Sequence, residues 1–325
     1  MKKLFCFLSI SVLLLAFSSE SKVFSQQKQP DQETIRVSDV FEVRLPVTVL
    51  GKKKDPIAGL SKNDFTVFEN GQPQEITFFS DEKDNPPVYV GVMMDTSPST
   101  AGKMKFSKEA AKNFIYTVTR LRKDKSAFLT FDQEVKLRQD FTDKLDLLDK
   151  AVDSVKETGR QTALYDAIWQ FCDEKLRGAI GRRVIVVITD GDDTFSRANL
   201  ADAIDIAQRT ETTVFAISTK AGFLGTVPGV EAGTVKDSGD KDLVRLANET
   251  GGEAFFTGDM LALEKSFTRI SKQLKTQYYL TYKPTNQNYD GNLRKVEVRL
   301  NDKSKANDYR IRTKTGYRAV RDRIR

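Results

Sequence analysis

Two kinds of hydrophobic spacing alternate between residues 88 and 274. Unbroken apolar runs at 88–94 and 184–188 leave no polar face, as expected for strands covered on both sides. Residues 105–121 instead place Phe106, Ala110, Phe114, Val118 and Leu121 on one stripe, the spacing of a helix packed on one face. Strands are predicted at 127–131 and 135–141, joined by a turn at Asp132, Gln133 and Glu134. Helices are predicted at 144–155 and 163–176. A helix at 199–210, a strand at 213–218, a helix at 240–250 closed by Gly251 and Gly252, a strand at 254–257 and a helix at 261–274 complete the series. Strands and helices in this alternation imply an α/β fold, a doubly wound and mostly parallel sheet with helices on both faces. Residues 220–239, with five glycines and Pro228, interrupt the rhythm as a surface loop.

On both sides of this unit the period shortens to two. Phe41, Glu42, Val43, Arg44 and Leu45 alternate strictly, residues 47–49 continue the strand, and 65–68 form another. Asn70-Gly71 is a hairpin turn signal, with 76–79 as the expected return strand. After residue 275 the β pattern resumes at 278–282, 295–300 and 309–312. The two flanks are expected to pair into one small β domain. The chain thus divides into residues 1–25, a β-rich segment and linker at 26–87, the α/β domain at 88–275, and a β-rich segment with a basic tail at 276–325.

The first 25 residues read as a signal peptide. Lys2 and Lys3 precede an apolar run at 4–17, and small residues offer cleavage near 18 or 25. Export to the periplasm or outside the cell follows, with no membrane span after cleavage, because no later segment approaches the roughly 20 apolar residues a span needs. Cys6 lies inside the apolar run, which leaves Cys172 as the one cysteine of the mature chain. No internal disulfide is then available, and Cys172 is expected to be a small buried apolar residue.

Composition narrows the chemistry. The formal charge is +7, from 52 basic and 45 acidic side chains in 325 residues, too mild an excess to call for nucleic acid. The basic run at 310–325, with Arg312, Lys314, Arg318, Arg321, Arg323 and Arg325, is read as a solvated tail in preference to a patch for nucleic acid or an anionic surface. There is no histidine, which removes every histidine-dependent triad and zinc site. No phosphate loop of the Gly-x-x-x-x-Gly-Lys type and no Gly-x-Ser-x-Gly elbow is present.

What remains is a set of oxygens. Asp95, Ser97 and Ser99 follow the first buried run, at the carboxyl end of its strand, where open α/β sheets bind ligands. Thr162 supplies a hydroxyl just before a predicted helix, and Asp190 ends the second buried run. Two carboxylates and three hydroxyls suit magnesium, calcium or manganese rather than zinc or copper. An ordinary turn that caps the next helix would account for Asp95, Ser97 and Ser99 alone, but not for Thr162 and Asp190 in register. Asp192, Asp193 and Ser196 follow closely, as supporting groups or plain loop polars.

These residues resemble the von Willebrand factor A domain, whose hallmark is a metal-ion-dependent adhesion site: Asp-x-Ser-x-Ser, a threonine in the next rim loop, and an aspartate after a central strand. All of these positions match, across residues 88–274. The whole chain resembles bacterial exported proteins related to that family. The matching features are the signal peptide, the run from Phe65 to Gly71, and the segment from Gln277 to Pro284 with Gly316 and Tyr317 near the end. Pro98 departs from the glycine common in relatives, and its fixed φ suits a turn. The resemblance implies that Ser97, Ser99 and Thr162 ligate directly and that Asp95 and Asp190 act through water. A protein partner would complete the coordination with an acidic side chain. It implies a binding module and not an enzyme. Asp190-Gly191-Asp192-Asp193-Thr194 also resembles the first motif of haloacid dehalogenase-type phosphatases, with Asp190 and Asp192 as nucleophile and acid. That motif belongs on a first strand, and it leaves Asp95, Ser97 and Thr162 unexplained. A third reading is an envelope scaffold with a vestigial metal site.

Overall fold

The computed structural model describes residues 42–81, 83–84, 86–156, 158–220, 237–256, 260–302 and 308–320. The expected signal peptide, Phe41, most of the 220–239 loop, Thr257 and Arg321, Arg323 and Arg325 lie outside them. The amino-terminal flank forms β1 (Val43–Leu50), β2 (Phe65–Glu69), β3 (Gln72–Gln74) and β4 (Ile76–Ser80). The α/β layer then runs through β5 (Val88–Asp95), α1 (Met104–Val118), β6 (Lys125–Phe131), β7 (Val135–Thr142), α2 (Leu145–Asp153), α3 (Leu164–Phe171) and β8 (Arg182–Thr189). It closes with α4 (Leu200–Arg209), β9 (Thr212–Ser218), α5 (Ser238–Glu249), β10 (Ala254–Phe256) and α6 (Met260–Lys275). The carboxyl-terminal flank supplies β11 (Tyr278–Tyr282), β12 (Leu293–Leu300), β13 (Arg310–Arg312) and β14 (Gly316–Arg318).

The six-stranded sheet has the order β10-β9-β8-β5-β6-β7, parallel except for β7. From β5 the chain winds one way to β6, and from β8 the other way to β9 and β10. The switch point therefore falls between β5 and β8. Alternate residues of the central strands feed two cores. Val90, Val92 and Met94 meet Phe114 and Phe267 on one face, while Met93, Ile185 and Val187 meet Ile168 and Phe171 on the other. Each such side chain contributes about 1.5–3 kcal/mol on burial, which is why these runs specify their strands so firmly. Gly91 is required here, because a Cβ on it would lie 2.1 Å from the Phe171 ring. Cys172 is buried in the second core, as its helical context predicts.

The two flanks pair with each other. β13-β1-β11-β4 is one four-stranded sheet and β14-β12-β2-β3 another, and a shared core of Val43, Leu45, Val67, Tyr278, Leu280 and Val298 lies between them. Glu69 pins this core from β2, accepting hydrogen bonds from the hydroxyls of Tyr282 and Tyr317, both at 2.7 Å.

Three expectations need correction. Leu121 lies beyond α1 and is 63% exposed, because the helix ends at Val118. The Asn70-Gly71 turn forms, with φ of 48° and 82°, but its return strand is only β3. β4 crosses to the other sheet and pairs with β11 instead. The basic segment is no solvated tail over residues 310–320. It forms β13 and β14, a strand absent from the pattern reading, and Lys314 is buried with Nζ donating to the carbonyl of Gln208 at 3.1 Å.

Candidate metal centre

Asp95 is the last residue of β5, and Asp190 directly follows β8, its parallel neighbour. Side chains leaving adjacent strand ends at a switch point converge above the sheet, so these carboxylates meet by topology. Asp95 is 1% exposed and already engaged: its Oδ1 accepts the backbone N–H of Ser97 at 2.8 Å, and its Oδ2 accepts the hydroxyl of Thr189 at 2.6 Å. Burial pushes its carboxyl up to about 6 from 3.8, against the lowering pull of the Thr189 and Ser97 hydrogen bonds, and the charge of Asp190 adds to the rise.

Asp190 is buried as well, and its Oδ1 has no hydrogen-bond partner. A buried carboxylate oxygen without a donor is costly unless a cation faces it. The loop from Asp95 brings hydroxyls to the same rim. Ser97 Oγ lies 3.1 Å from Ser99 Oγ; Ser97 is buried and Ser99 exposed, so the pair opens the site to solvent. Ser97 occupies the cap position of a short helical turn, Pro98–Lys103, without capping it through its side chain. The capping alternative therefore does not account for its hydroxyl. Pro98 is the first residue of that turn, as its fixed φ allows. Thr100 holds the loop closed, its Oγ1 donating to the Ser97 carbonyl at 2.7 Å.

Thr162 is buried just ahead of α3, on a neighbouring loop tied to the first one. Gly159 N–H donates to the Thr96 carbonyl at 2.8 Å, and Ala163 N–H to the Asp132 carbonyl at 2.8 Å. Residues after Asp190 clamp that loop from the other side. Thr194 Oγ1 accepts from Thr162 N–H at 3.0 Å, Asp193 Oδ2 accepts from Tyr165 N–H at 3.1 Å, and Ser196 Oγ accepts from Asp166 N–H at 3.0 Å. Asp193 and Ser196 thus satisfy the exposed N–H groups at the start of α3. Asp192 pairs with Lys220, whose Nζ is 2.9 Å from its Oδ1.

Asp95, Ser97 and Ser99 are joined by direct contacts, Asp190 is near enough for its charge to act on Asp95, and Thr162 is held on the adjoining loop. Among the described residues no three His, Cys, Asp or Glu side chains cluster to hold a metal. A cation here would need the hydroxyls as well as the two carboxylates, and this oxygen set with its unpaired Asp190 Oδ1 fits a hard divalent ion. The sequence offered Thr189 only as the neighbour of Asp190. Its bond to Asp95 follows from strand register, Ile188 lying opposite Met94 in the preceding pair.

The doubly wound sheet, with an oxygen-lined rim at its switch point, defines an α/β domain of the open-sheet class. The chain belongs to the von Willebrand factor type A domain family, which matches residues 90–269. Among solved structures it is similar to an aerotolerance-related membrane protein from Bacteroides fragilis NCTC 9343, at 17% identity over 57% of this chain and 98% of that one, with a TM-score of 0.46. It is similar to the conserved hypothetical protein BatB from Bacteroides thetaiotaomicron, at 16% identity over 58% of this chain and 100% of that one, with a TM-score of 0.42. Proximal thread matrix protein 1 of the mussel byssus, with zinc in its adhesion-site motif, is 15% identical over 61% of this chain and 47% of its own, with a TM-score of 0.46. No curated protein matches the chain.

Proposed function

We propose that this protein is an exported binding module that captures an acidic side chain of a protein partner through a divalent cation held by Asp95, Ser97, Ser99, Thr162 and Asp190. The observation that carries this reading is the buried Asp190 Oδ1, left without a donor beside a second buried carboxylate. A cation would offset that cost, and with only two protein carboxylates facing it, it would keep attraction for a third from outside. Hard oxygen donors favour magnesium, calcium or manganese. The chain's own part is to orient the hydroxyls, through the Thr100 and Thr194 hydrogen bonds, and to leave Ser99 open to the partner.

On this reading the protein is not an enzyme. The phosphatase alternative needs Asp192 free as an acid beside Asp190, whereas Asp192 is engaged in an ion pair with Lys220. Export rests on the basic and apolar pattern of residues 2–17. No described helix is long and apolar enough to cross a membrane. The test is a pull-down of envelope proteins on the immobilised mature chain, with magnesium, calcium, manganese or zinc supplied in turn and then chelated. Capture that survives chelation would remove the metal from the mechanism.

A further inference from the structure

A cavity of about 260 Å³ lies between the end of β1 and β13. Its polar wall is Lys52, Lys54, Arg310, Arg312 and one acid, Asp308. The tight loop after β1 sets the two lysines: Gly51 N–H donates to the Asp55 carbonyl at 2.9 Å, Lys54 N–H to the Gly51 carbonyl at 2.8 Å, and Lys54 is held at a φ of 61°. Behind the wall stands Glu253, whose side chain is 9% exposed. Around its Oε1 are Arg312 Nη2 at 3.3 Å, Arg269 Nη2 at 3.8 Å and Lys54 Nζ at 4.0 Å.

Lys52 pairs with Asp308, and Lys54, Arg269 and Arg312 pair with Glu253; with Arg310 in the wall, five cations stand beside two carboxylates among these described residues, an excess of three positive charges. Arg312 is partly withdrawn from water, its Nη1 donating to the Gly252 carbonyl at 2.6 Å. Burial first, and the charge of Arg269 with it, lower its affinity for its proton. Positive charge gathered at a concave, partly desolvated surface without matching anions is stabilised by an incoming anion.

We propose that this cavity is an anion site for a phosphate-bearing ligand. A phosphate dianion offers three terminal oxygens, enough to accept from two guanidinium forks and two ammonium groups together, where a lone carboxylate offers two. At about 260 Å³ the cavity is at or below the small end of ligand pockets, so it takes the phosphate and a short stem rather than a whole nucleotide. The phosphate can belong to a soluble ester or to a lipid headgroup.

The test titrates the mature chain with inorganic phosphate by calorimetry at low ionic strength, with chelator present so that the metal site is silent. Phosphate should bind, and Asp95→Ala should bind it equally. The combined Lys52→Gln, Lys54→Gln, Arg310→Gln variant, changed only at exposed side chains, should bind at least tenfold more weakly. Asp308→Asn, which removes the acid 2.7 Å from Lys52, should tighten binding. Phosphate affinity within twofold of wild type in the triple variant, or weaker binding in Asp308→Asn, overturns the proposal. Co-sedimentation with phosphatidylcholine vesicles containing phosphatidic acid separates the sources. Sedimentation lost in the triple variant and competed by phosphate assigns a membrane phosphate. Calorimetric binding without sedimentation assigns a soluble ester, and sedimentation indifferent to the triple variant counts against the site.

Discussion

The hydroxyl of Thr189 donates to Oδ2 of Asp95 across 2.6 Å, joining the ends of two adjacent parallel strands. The same Thr189 oxygen accepts the N–H of Gly191 at 3.0 Å, so one side chain orients Asp95 and the start of the loop that carries Asp190. Thr189→Val keeps the shape and removes both bonds. It should lower stability by about 1–3 kcal/mol, the usual cost of leaving buried polar groups unpaired, and weaken divalent-cation binding. Urea unfolding and calorimetry with magnesium or manganese measure the two effects. Unchanged metal affinity would mean that Thr189 serves the sheet alone.

Asp95→Ala and Asp190→Ala should each abolish most metal binding while the fold survives. Both residues sit at the rim, outside the packed faces of the sheet. Asp190→Ala also removes the buried oxygen that lacks a donor, so in chelator it should cost less than about 1 kcal/mol and could stabilise. The check is a thermal melt with and without cation. Equal cation-induced shifts in wild type and both variants would displace the site from these residues.

Thr162 stands on a different loop from Asp95, Ser97 and Ser99 and is clamped through its backbone, by Thr194 and Phe195. Thr162→Ala leaves that clamp in place. It should therefore weaken partner capture more than cation binding, by a factor of at least 10 against 3 or less, about 1.4 kcal/mol for the larger. Equal losses in pull-down and calorimetry would argue that Thr162 ligates permanently.

Asp192→Asn breaks the pair with Lys220 on the surface, a loss of at most about 1 kcal/mol. Chelator-sensitive capture should persist, and hydrolysis of a generic phosphomonoester should be absent in both proteins. Turnover in wild type that disappears in the variant would promote the phosphatase reading.

Lys314 carries a pH signature. Burial pushes its ammonium down to about 8 from 10.5. Between these values the unfolded chain binds a proton that the folded one does not, so stability rises with pH across the window. The full span amounts to roughly 3 kcal/mol at most. Lys314→Met removes the charge, and the variant's advantage over wild type should shrink as pH goes from 7.5 to 9.5 in urea titrations. Parallel curves would show that Lys314 stays charged in the fold.

Residues 88–94 and 184–188 could be recognised as central strands from composition alone, because a strand buried on both faces has room for nothing polar. From that assignment the sites of Asp95 and Asp190 followed, since each stands where such a run ends. The stripe in α1 was equally plain up to Val118, and Asn70-Gly71 marked its turn because few other pairs accept positive φ twice. Thr162 was marked by its place just before a predicted helix, and the family motif gave that hydroxyl its role.

What lay beyond the pattern were partnerships between distant segments. The pairing of Ile76–Ser80 with Tyr278–Tyr282 spans some two hundred residues, and alternation says that a strand has a buried face without saying which strand lies beside it. Lys314 looks like any tail lysine until the bridge to Thr250 places it against α4. The Thr189–Asp95 bond and the gathering of Arg269, Arg312 and Lys54 around Glu253 are of the same kind. Sequence by itself determined most of the strands and helices, the short β3 and β14 excepted, and which oxygens end up at strand termini, because burial and spacing act within a few residues. Tertiary structure decided which strands are neighbours and which charges must share a partner, because those depend on contacts between segments that the chain brings together only when it folds.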